Sequence, residues 1–328
     1  MLRMPSFEVH HPTSVAEAVA LHEQLGDARY LAGGTDLLPN LKHHLHAPAH
    51  LVALQRVPEL RGLHHDDDGA LHLGALTSLH TLATDPIVRG HAPALAAAAS
   101  MIAGPQHRHM GTLGGNVLLD TRCLFYNQTR AWRQALGSCL KAEGTWCHVI
   151  GSAKGCVAAQ SSDTVPVLVA FDAQLHAHSP QGEHVIGLRS LYGTDGRLDR
   201  HTQLPPGAIL TRIVVPPAAP GTRSVYRKLR TRAAVDFPQL GVAAVGAFDG
   251  EGRCTALEVV LGALLPQPRR LRHMERAVGE VLDDALIEQL AEHGYKQARP
   301  QPQLHGDVAW RRQMVRVEVA RALRALRP

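Results

Sequence analysis

Two glycine turns, "LAGGTDLLPNLK" at residues 31–42 and "GTLGGNVLL" at 111–119, constrain this chain more than any other feature. Each places two adjacent glycines beside a hydroxyl, Thr35 or Thr112, and a polar side chain, Asp36 or Asn116. A backbone without Cβ adopts φ > 0 and points successive N–H groups at one spot, the geometry of an anion-binding nest. Neither turn is GxGxxG or GxxxxGK[ST], so the Rossmann and P-loop readings lack their residues. Either turn alone reads equally as a plain strand–turn–helix connection. Together they form two nests, and a long dinucleotide such as FAD presents pyrophosphate oxygens to two sides. Asp36 either caps the following turn or hydrogen-bonds a ribose or ribityl hydroxyl.

The elements around these turns alternate. "SVAEAVALHEQLG" reads as a helix capped by Thr13 or Ser14 with Glu17 in its first turn. "ARYLAGG", "HLVAL" and "ALHLGAL" read as short strands. Residues 78–103 read as a helix interrupted by Pro86 and Pro93. "DTVPVLVAFDAQLHAHS" starts as a helix and leads into strands, and "GAILTRIVVP" is a strand ended by proline. "PPAAPGT" at 216–222 is a linker, which puts a boundary near 220. Beyond it "SVYRKLR", "GVAAVGAFD" and "TALEVVLGAL" have hairpin-like spacing, and helices follow from about 275. At 328 residues, two or three domains are expected.

Composition excludes some classes. A net charge of +5 is too mild to argue for nucleic acid, and 4% aromatics weakens base stacking. No run of 18 apolar residues suggests a membrane span, and the N-terminus lacks a signal-peptide apolar region. A cytoplasmic location is expected, where disulfides are disfavoured. The 22 histidines, including "KHHLHAPAH" and "LHHDDD", read as a compositionally biased solvated surface, and no metal is assigned to them.

Four of the five cysteines, Cys123, Cys139, Cys147 and Cys156, fall within residues 121–156. Four thiolates satisfy a 4Fe–4S cluster or a structural zinc, and spacing alone also leaves unligated thiols or disulfides open. No tight C-x₂₋₄-C knuckle of the usual zinc type occurs. Arg122, Arg130, Arg133, Lys141 and Lys154 against Glu143 make residues 121–160 cationic, a shell suited to an anionic cluster. Phe125, Tyr126, Trp132 and Trp146 are expected to shield it from water. Cys254 sits in an alternating strand pattern and reads as a buried packing thiol.

The two glycine turns resemble the FAD loops of the flavoprotein subunits of molybdenum hydroxylases, the group of carbon monoxide and xanthine dehydrogenases. The likeness continues, in order, through "IAGPQHRHMGTLGGN", "SDTVPVLVAFDA" and "YRKLRTRAAVDFPQLGVAA". It implies an α+β chain: two α/β FAD-binding subdomains of the PCMH type, 1–60 and 61–220, then an α+β C-terminal domain, 221–328. It also implies FAD contacts from Leu31, Ala32, Gly33, Gly34, Thr35, Asp36, Leu37, Leu38, Ile102, Thr112, Gly114, Gly115, Asn116, Asp163 and Lys228. One departure stands out. The family has a short link from the asparagine to the aspartate, whereas Asn116 and Asp163 here stand 47 residues apart. The insertion, about 121–160, holds the cysteines. Leu118, Leu119 and Asp120 also replace small residues, so the isoalloxazine surroundings differ from the family's.

"DTRCLFYNQ", "CHVI" and the cysteine spacing resemble one subgroup, the beta subunit of 4-hydroxybenzoyl-CoA reductase, which carries FAD and an extra 4Fe–4S cluster. That resemblance implies ligation by the four cysteines. It also implies a molybdopterin-binding large subunit, a 2Fe–2S small subunit and a heterohexamer of two heterotrimers. A ferredoxin-like donor would feed electrons inward for reductive dehydroxylation on a partner subunit, and no catalytic acid or base is expected in this chain. Two alternatives stand beside it: a flavin subunit of a hydroxylase passing electrons outward, and a zinc-stapled FAD-binding assembly module.

Overall fold

The computed structural model describes residues 2–197 and 203–328. Its N-terminal unit is a parallel ladder: β1 (Glu8–His10), α1 (Val15–Leu25), β2 (Ala28–Leu31), α2 (Leu37–Lys42) and β3 (His50–Ala53), with strand order β1-β3-β2. Ser14 caps α1, its hydroxyl accepting from the Glu17 N–H at 3.1 Å. The Glu17 carboxylate in turn accepts from the Thr13 N–H at 2.7 Å, so both orphan donors are satisfied. α1 buries Val15, Ala18 and Val19 against Val52, Leu54 and Val57.

The second unit follows as β4 (Leu63–His65), β5 (Leu71–Gly74), α3 (Leu79–Thr84), α4 (Pro86–His91), α5 (Pro93–Ser100), α6 (Pro105–Met110), α7 (Leu113–Val117), α8 (Arg130–Leu136), α9 (Thr164–Ala170), β6 (Gln174–Ser179), β7 (Gly182–Gly187), α10 (Leu188–Leu191) and β8 (Ile209–Val215). Its sheet is antiparallel, in the order β4-β5-β8-β6-β7. The helical stretch breaks where proline demands it. Pro86 and Pro93 each open a new helix, at positions where the missing N–H costs nothing.

The third unit is β9 (Thr222–Leu229), β10 (Leu240–Phe248), β11 (Cys254–Gly262), β12 (Arg269–Arg270), α11 (Asp284–Gln297) and α12 (Val308–Leu326). The four strands form an antiparallel sheet. β10 is apolar along its length because both faces are covered. Leu240, Val242 and Ala244 join the core under α11 and α12, while Ala243 joins the core of the second unit. Cys254 is fully buried in the former core, as its strand pattern suggests. The fold class is therefore the α+β class expected, with a separate C-terminal α+β unit.

α12 of the C-terminal unit carries a buried cation. Arg311 has 0% exposure, and its guanidinium donates to the carbonyls of Gln239 at 3.0 Å, Gln301 at 2.9 Å and Ala263 at 2.8 Å. It ties α12 to the start of β10 and the end of β11. Arg311→Met would strand three buried acceptors, and we expect a loss of about 3–5 kcal/mol in chemical denaturation. Arg311→Lys should recover only part of this, because an ammonium cannot reach three divergent carbonyls.

Candidate cofactor cavity and cysteine site

The two glycine turns face one cavity of about 830 Å³. Ala32, Gly33, Gly34, Thr35, Asp36 and Leu37 line it from the first turn; Thr112, Gly114, Gly115 and Asn116 line it from the second. Ile102 and Asp163 complete the expected set on its wall. Leu31 and Leu38 do not line it. Their side chains instead pack beside Gly34, which holds φ +71°. Lys228 also stays off the wall, behind Asp163.

The two turns play different parts. In the first, the N–H groups of Gly33 through Leu37 donate to no protein acceptor among the described residues. They form the nest. Gly33 sits so close to the other turn that a Cβ there would stand 1.8 Å from the Met110 carbonyl oxygen. In the second turn the amides face inward. Leu113 donates to Thr77 O at 2.9 Å, Gly114 to Ala75 O at 2.8 Å, and Gly115 to Thr112 Oγ1 at 3.2 Å. The expectation of two anion nests is thus corrected to one nest and one wall. Gly114 is required by contact, since a Cβ would lie 2.9 Å from that of Ala75.

Asp36 does not cap α2. One carboxylate oxygen accepts from Asn40 Nδ2 at 2.9 Å, and the other pairs with Arg122, whose guanidinium also lies 4.6 Å from the Phe237 ring. Asp163 is almost fully buried. Its Oδ1 accepts from the Tyr226 hydroxyl at 2.6 Å and its Oδ2 from Lys228 Nζ at 2.8 Å. Burial raises its carboxyl above the usual range, opposed by the Lys228 charge and the two donors. Lys228 also donates to Met101 O at 3.1 Å, so the lysine braces the aspartate from behind the cavity wall.

Across the 47-residue separation, Asn116 and the Asp163 segment meet directly. Asn116 Oδ1 accepts from Ser162 Oγ at 2.6 Å and from Thr164 Oγ1 at 2.7 Å. An antiparallel bridge between Arg122 and Ala159, with hydrogen bonds of 2.7 and 2.8 Å, closes the neck of the insertion. The segment between them is a loop on a closed stem.

At its centre, Cys123, Cys139, Cys147 and Cys156 line one small apolar hollow with Phe125, Tyr126 and Lys141. All are free thiols, so the disulfide alternative is not the arrangement found. Backbone amides point at the sulfurs. Ile150 N–H donates to Cys147 Sγ at 3.5 Å and Ala158 N–H to Cys156 Sγ at 3.4 Å, while the Phe125 and Tyr126 amides serve Cys123. Burial, the larger effect, raises the Cys123 thiol and pushes Cys156 up to about 11, and these amide donors oppose it. No three of the sulfurs lie within 4.8 Å of one another. A tetrahedral zinc with 2.3 Å bonds would hold them about 3.8 Å apart. A cubane, with its irons at separate corners, takes ligands more widely spread than a single zinc does.

Two expectations for the insertion are corrected. The cations are not a uniform shell. Arg122 pairs with Asp36, Arg133 donates to the carbonyl of His44 at 2.8 Å, and Lys141 pairs with Asp120 at 2.5 Å. They bind the insertion to the rest of the chain. Tyr126 is buried, but Trp132 and Trp146 are 40% and 57% exposed and shield nothing. Leu118, Leu119 and Asp120, read from the sequence as altering the flavin surroundings, do line the cavity, whereas Arg29, Tyr30, His46, Arg122 and Phe237 escaped the sequence reading as cavity residues. The one local signal was "DTR" at 120–122, alternating charges directly beside the first cysteine.

Comparison with known proteins agrees with this geometry. The chain matches the family model described as the FAD binding domain in molybdopterin dehydrogenase over residues 5–218. It matches the CO dehydrogenase flavoprotein C-terminal domain over 224–326. The carbon monoxide dehydrogenase medium chain of Hydrogenophaga pseudoflava is 30% identical, with 98% of this chain and 97% of that protein covered. The putative xanthine dehydrogenase FAD-binding subunit XdhB of Escherichia coli (strain K12) is 28% identical, with 90% of each covered. A solved structure of the Hydrogenophaga carbon monoxide dehydrogenase, lacking the Mo-pyranopterin moiety of its cofactor, superposes with a TM-score of 0.80 at 28% identity, covering 99% of this chain and 98% of that one. The chain belongs to the FAD-binding flavoprotein family of the molybdopterin dehydrogenases. It is an FAD-binding oxidoreductase subunit of the carbon monoxide and xanthine dehydrogenase type. No helix among the described residues is long and apolar enough to cross a membrane.

Gly33→Ala tests the nest directly. The new methyl meets a backbone carbonyl rather than a flexible side chain, so the turn must move. We expect purified protein with native far-UV circular dichroism and at least about tenfold weaker FAD retention, read by flavin absorbance after gel filtration.

Proposed function

We propose that this chain is an electron-transfer subunit that holds FAD in the large cavity and a 4Fe–4S cluster on Cys123, Cys139, Cys147 and Cys156. The observation that carries the second half is the convergence of four thiols, attended by backbone amides, in a hollow beside the cofactor cavity. When bound, FAD supplies one- and two-electron exchange and the cluster one-electron exchange. The chain's own residues do the holding. The amides of Gly33 to Leu37 receive phosphate oxygens, with Thr35 beside them. Leu31 and Leu38 keep that turn in shape. Ile102, Thr112, Gly114, Gly115 and Asn116 form the opposite wall. Asp163, braced by Lys228 and Tyr226, is a fixed carboxylate for a polar edge of the flavin.

The reading divides the chain at 1–60, 61–220 and 221–328. Partners are a molybdopterin-binding large subunit and a 2Fe–2S small subunit, in a heterohexamer of two heterotrimers. The insertion supports the reductive direction: a low-potential donor such as ferredoxin, then the cysteine site, then FAD, then the partner subunits, with 4-hydroxybenzoyl-CoA as the substrate its cysteine pattern resembles. The similar proteins support a second reading better than this one. The similar proteins are named as carbon monoxide and xanthine dehydrogenases, and this favours a hydroxylase subunit passing electrons outward. The zinc-stapled alternative has the poorer support, because the sulfurs are spread too widely for one ion.

Anaerobic purification with its partners separates these readings. The cluster reading expects about four additional irons and four sulfides per copy of this chain. Cys139→Ser should abolish the cubane EPR signal while flavin content holds. One zinc without sulfide, or a Cys139→Ser protein with unchanged iron, would sink it. Reduction of bound flavin by reduced ferredoxin, against reduction by an oxidisable substrate of the complex, fixes the direction.

A further inference from the structure

We propose that Glu8, His10 and His50 form a binding site for a divalent transition-metal ion, with zinc the best chemical match. The site comes from strand register. Glu8 stands opposite His50 on the parallel β1–β3 ladder, and His10 lies two residues along on the same face. His10 Nε2 is 3.2 Å from His50 Nδ1, and Glu8 Oε2 is 3.7 Å from the same nitrogen. Among the described residues this is the one group of three ligand atoms lying within 4.8 Å of one another, in a chain with 22 histidines. An ion with bonds of about 2.0–2.2 Å and tetrahedral angles would place such atoms about 3.3–3.6 Å apart. Two imidazoles and one carboxylate are a zinc-type set, and the exposed side leaves the fourth position to water. β1 is an edge strand, so the ion would staple it to the central strand of the sheet.

Chelator-treated protein, retaining its own cofactors, is titrated with zinc by calorimetry and followed by thermal melting. One saturable zinc per chain and a zinc-dependent rise in Tm are expected. His50→Ala should lose both, and Glu8→Gln should weaken binding about tenfold or more. His64→Ala, which removes a ring stacked on His72 elsewhere on the surface, should change neither. Equal zinc uptake by the parent and His50→Ala, or unsaturable binding alone, overturns the site.

A different observation carries a second inference, which rests on the cluster reading above. We infer that Lys141 and Asp120 are positioning residues for electron passage between the cysteine hollow and the FAD cavity. Asp120 lines the cavity, while Lys141 and Tyr126 line the hollow. Lys141 Nζ lies 2.5 Å from Asp120 Oδ1, 2.6 Å from Thr121 Oγ1 and 4.5 Å from the Tyr126 ring. The two side chains are 4% and 8% exposed, so their charges act with little screening. An electron arriving on the cysteine side adds one negative charge there, which Lys141 favours and Asp120 opposes. The same electron then leaves for the flavin side, and nothing else is consumed.

The two charges give opposite signatures. In the purified complex, Lys141→Met should lower the midpoint potential of the cluster, and Asp120→Asn should raise it, by EPR-monitored titration. Iron, sulfide and FAD are counted in each variant, and the potential is read on the clusters present, so that a partial loss of cofactor leaves the sign readable. Should Lys141→Met fail to fold, the isosteric Asp120→Asn still reads the sign. Unshifted potentials at full cofactor content overturn the inference alone. A parent complex with no iron beyond the 2Fe–2S complement overturns the cluster reading instead, and this inference with it.

Discussion

The buried contact of Asp163 with Lys228 and Tyr226 is the point on which the rest of the structure depends. A carboxylate with 4% exposure cannot stay charged without partners. Here both partners come from β9, in another unit of the chain. The neighbours of Asp163 reach the other way: the Ser162 and Thr164 hydroxyls hold Asn116 on the second glycine turn. Three consecutive residues thus join a cavity wall, the exit of the insertion and the C-terminal sheet. The geometry of the cavity is a product of that junction, and no single unit could form it alone.

The first glycine turn is free to bind because the second is not. The second turn spends its amides on Ala75, Thr77 and Thr112, which locks α7 against β5. That rigid wall then sets the Met110 carbonyl against Gly33. One turn is held by its own amides, while the N–H groups of Gly33 through Leu37 in the other donate to no protein acceptor among the described residues.

Most of this architecture was legible in the sequence because its causes are local. Ser14 and Glu17 cap α1 within four residues, and Pro86 and Pro93 divide a helical stretch at their own positions. The cavity-lining glycines were legible as a pair of turns. What was not legible depends on partners remote in sequence. Two similar glycine turns differ only in where Ala75 and Thr77 happen to lie. Lys228 meets Asp163 across 65 residues, and it serves that carboxylate instead of the open cavity. Trp132 and Trp146 looked like a shield by composition, but they are 40% and 57% exposed. The histidine bias hid Glu8, His10 and His50 for the same reason, since only strand register assembles them.

The position of the insertion follows from the closed neck. The Arg122–Ala159 bridge and the hydroxyl contacts to Asn116 fix both ends before the loop begins. With the ends fixed, added length costs only slowly growing loop entropy and does not strain the cavity. Arg122 and Lys141 then bend the loop back by pairing with Asp36 and Asp120, both on the cavity wall. A chain built this way can acquire four thiols without altering the turns that form the cavity. It also necessarily places them next to it, because Cys123 directly follows a residue that lines the wall.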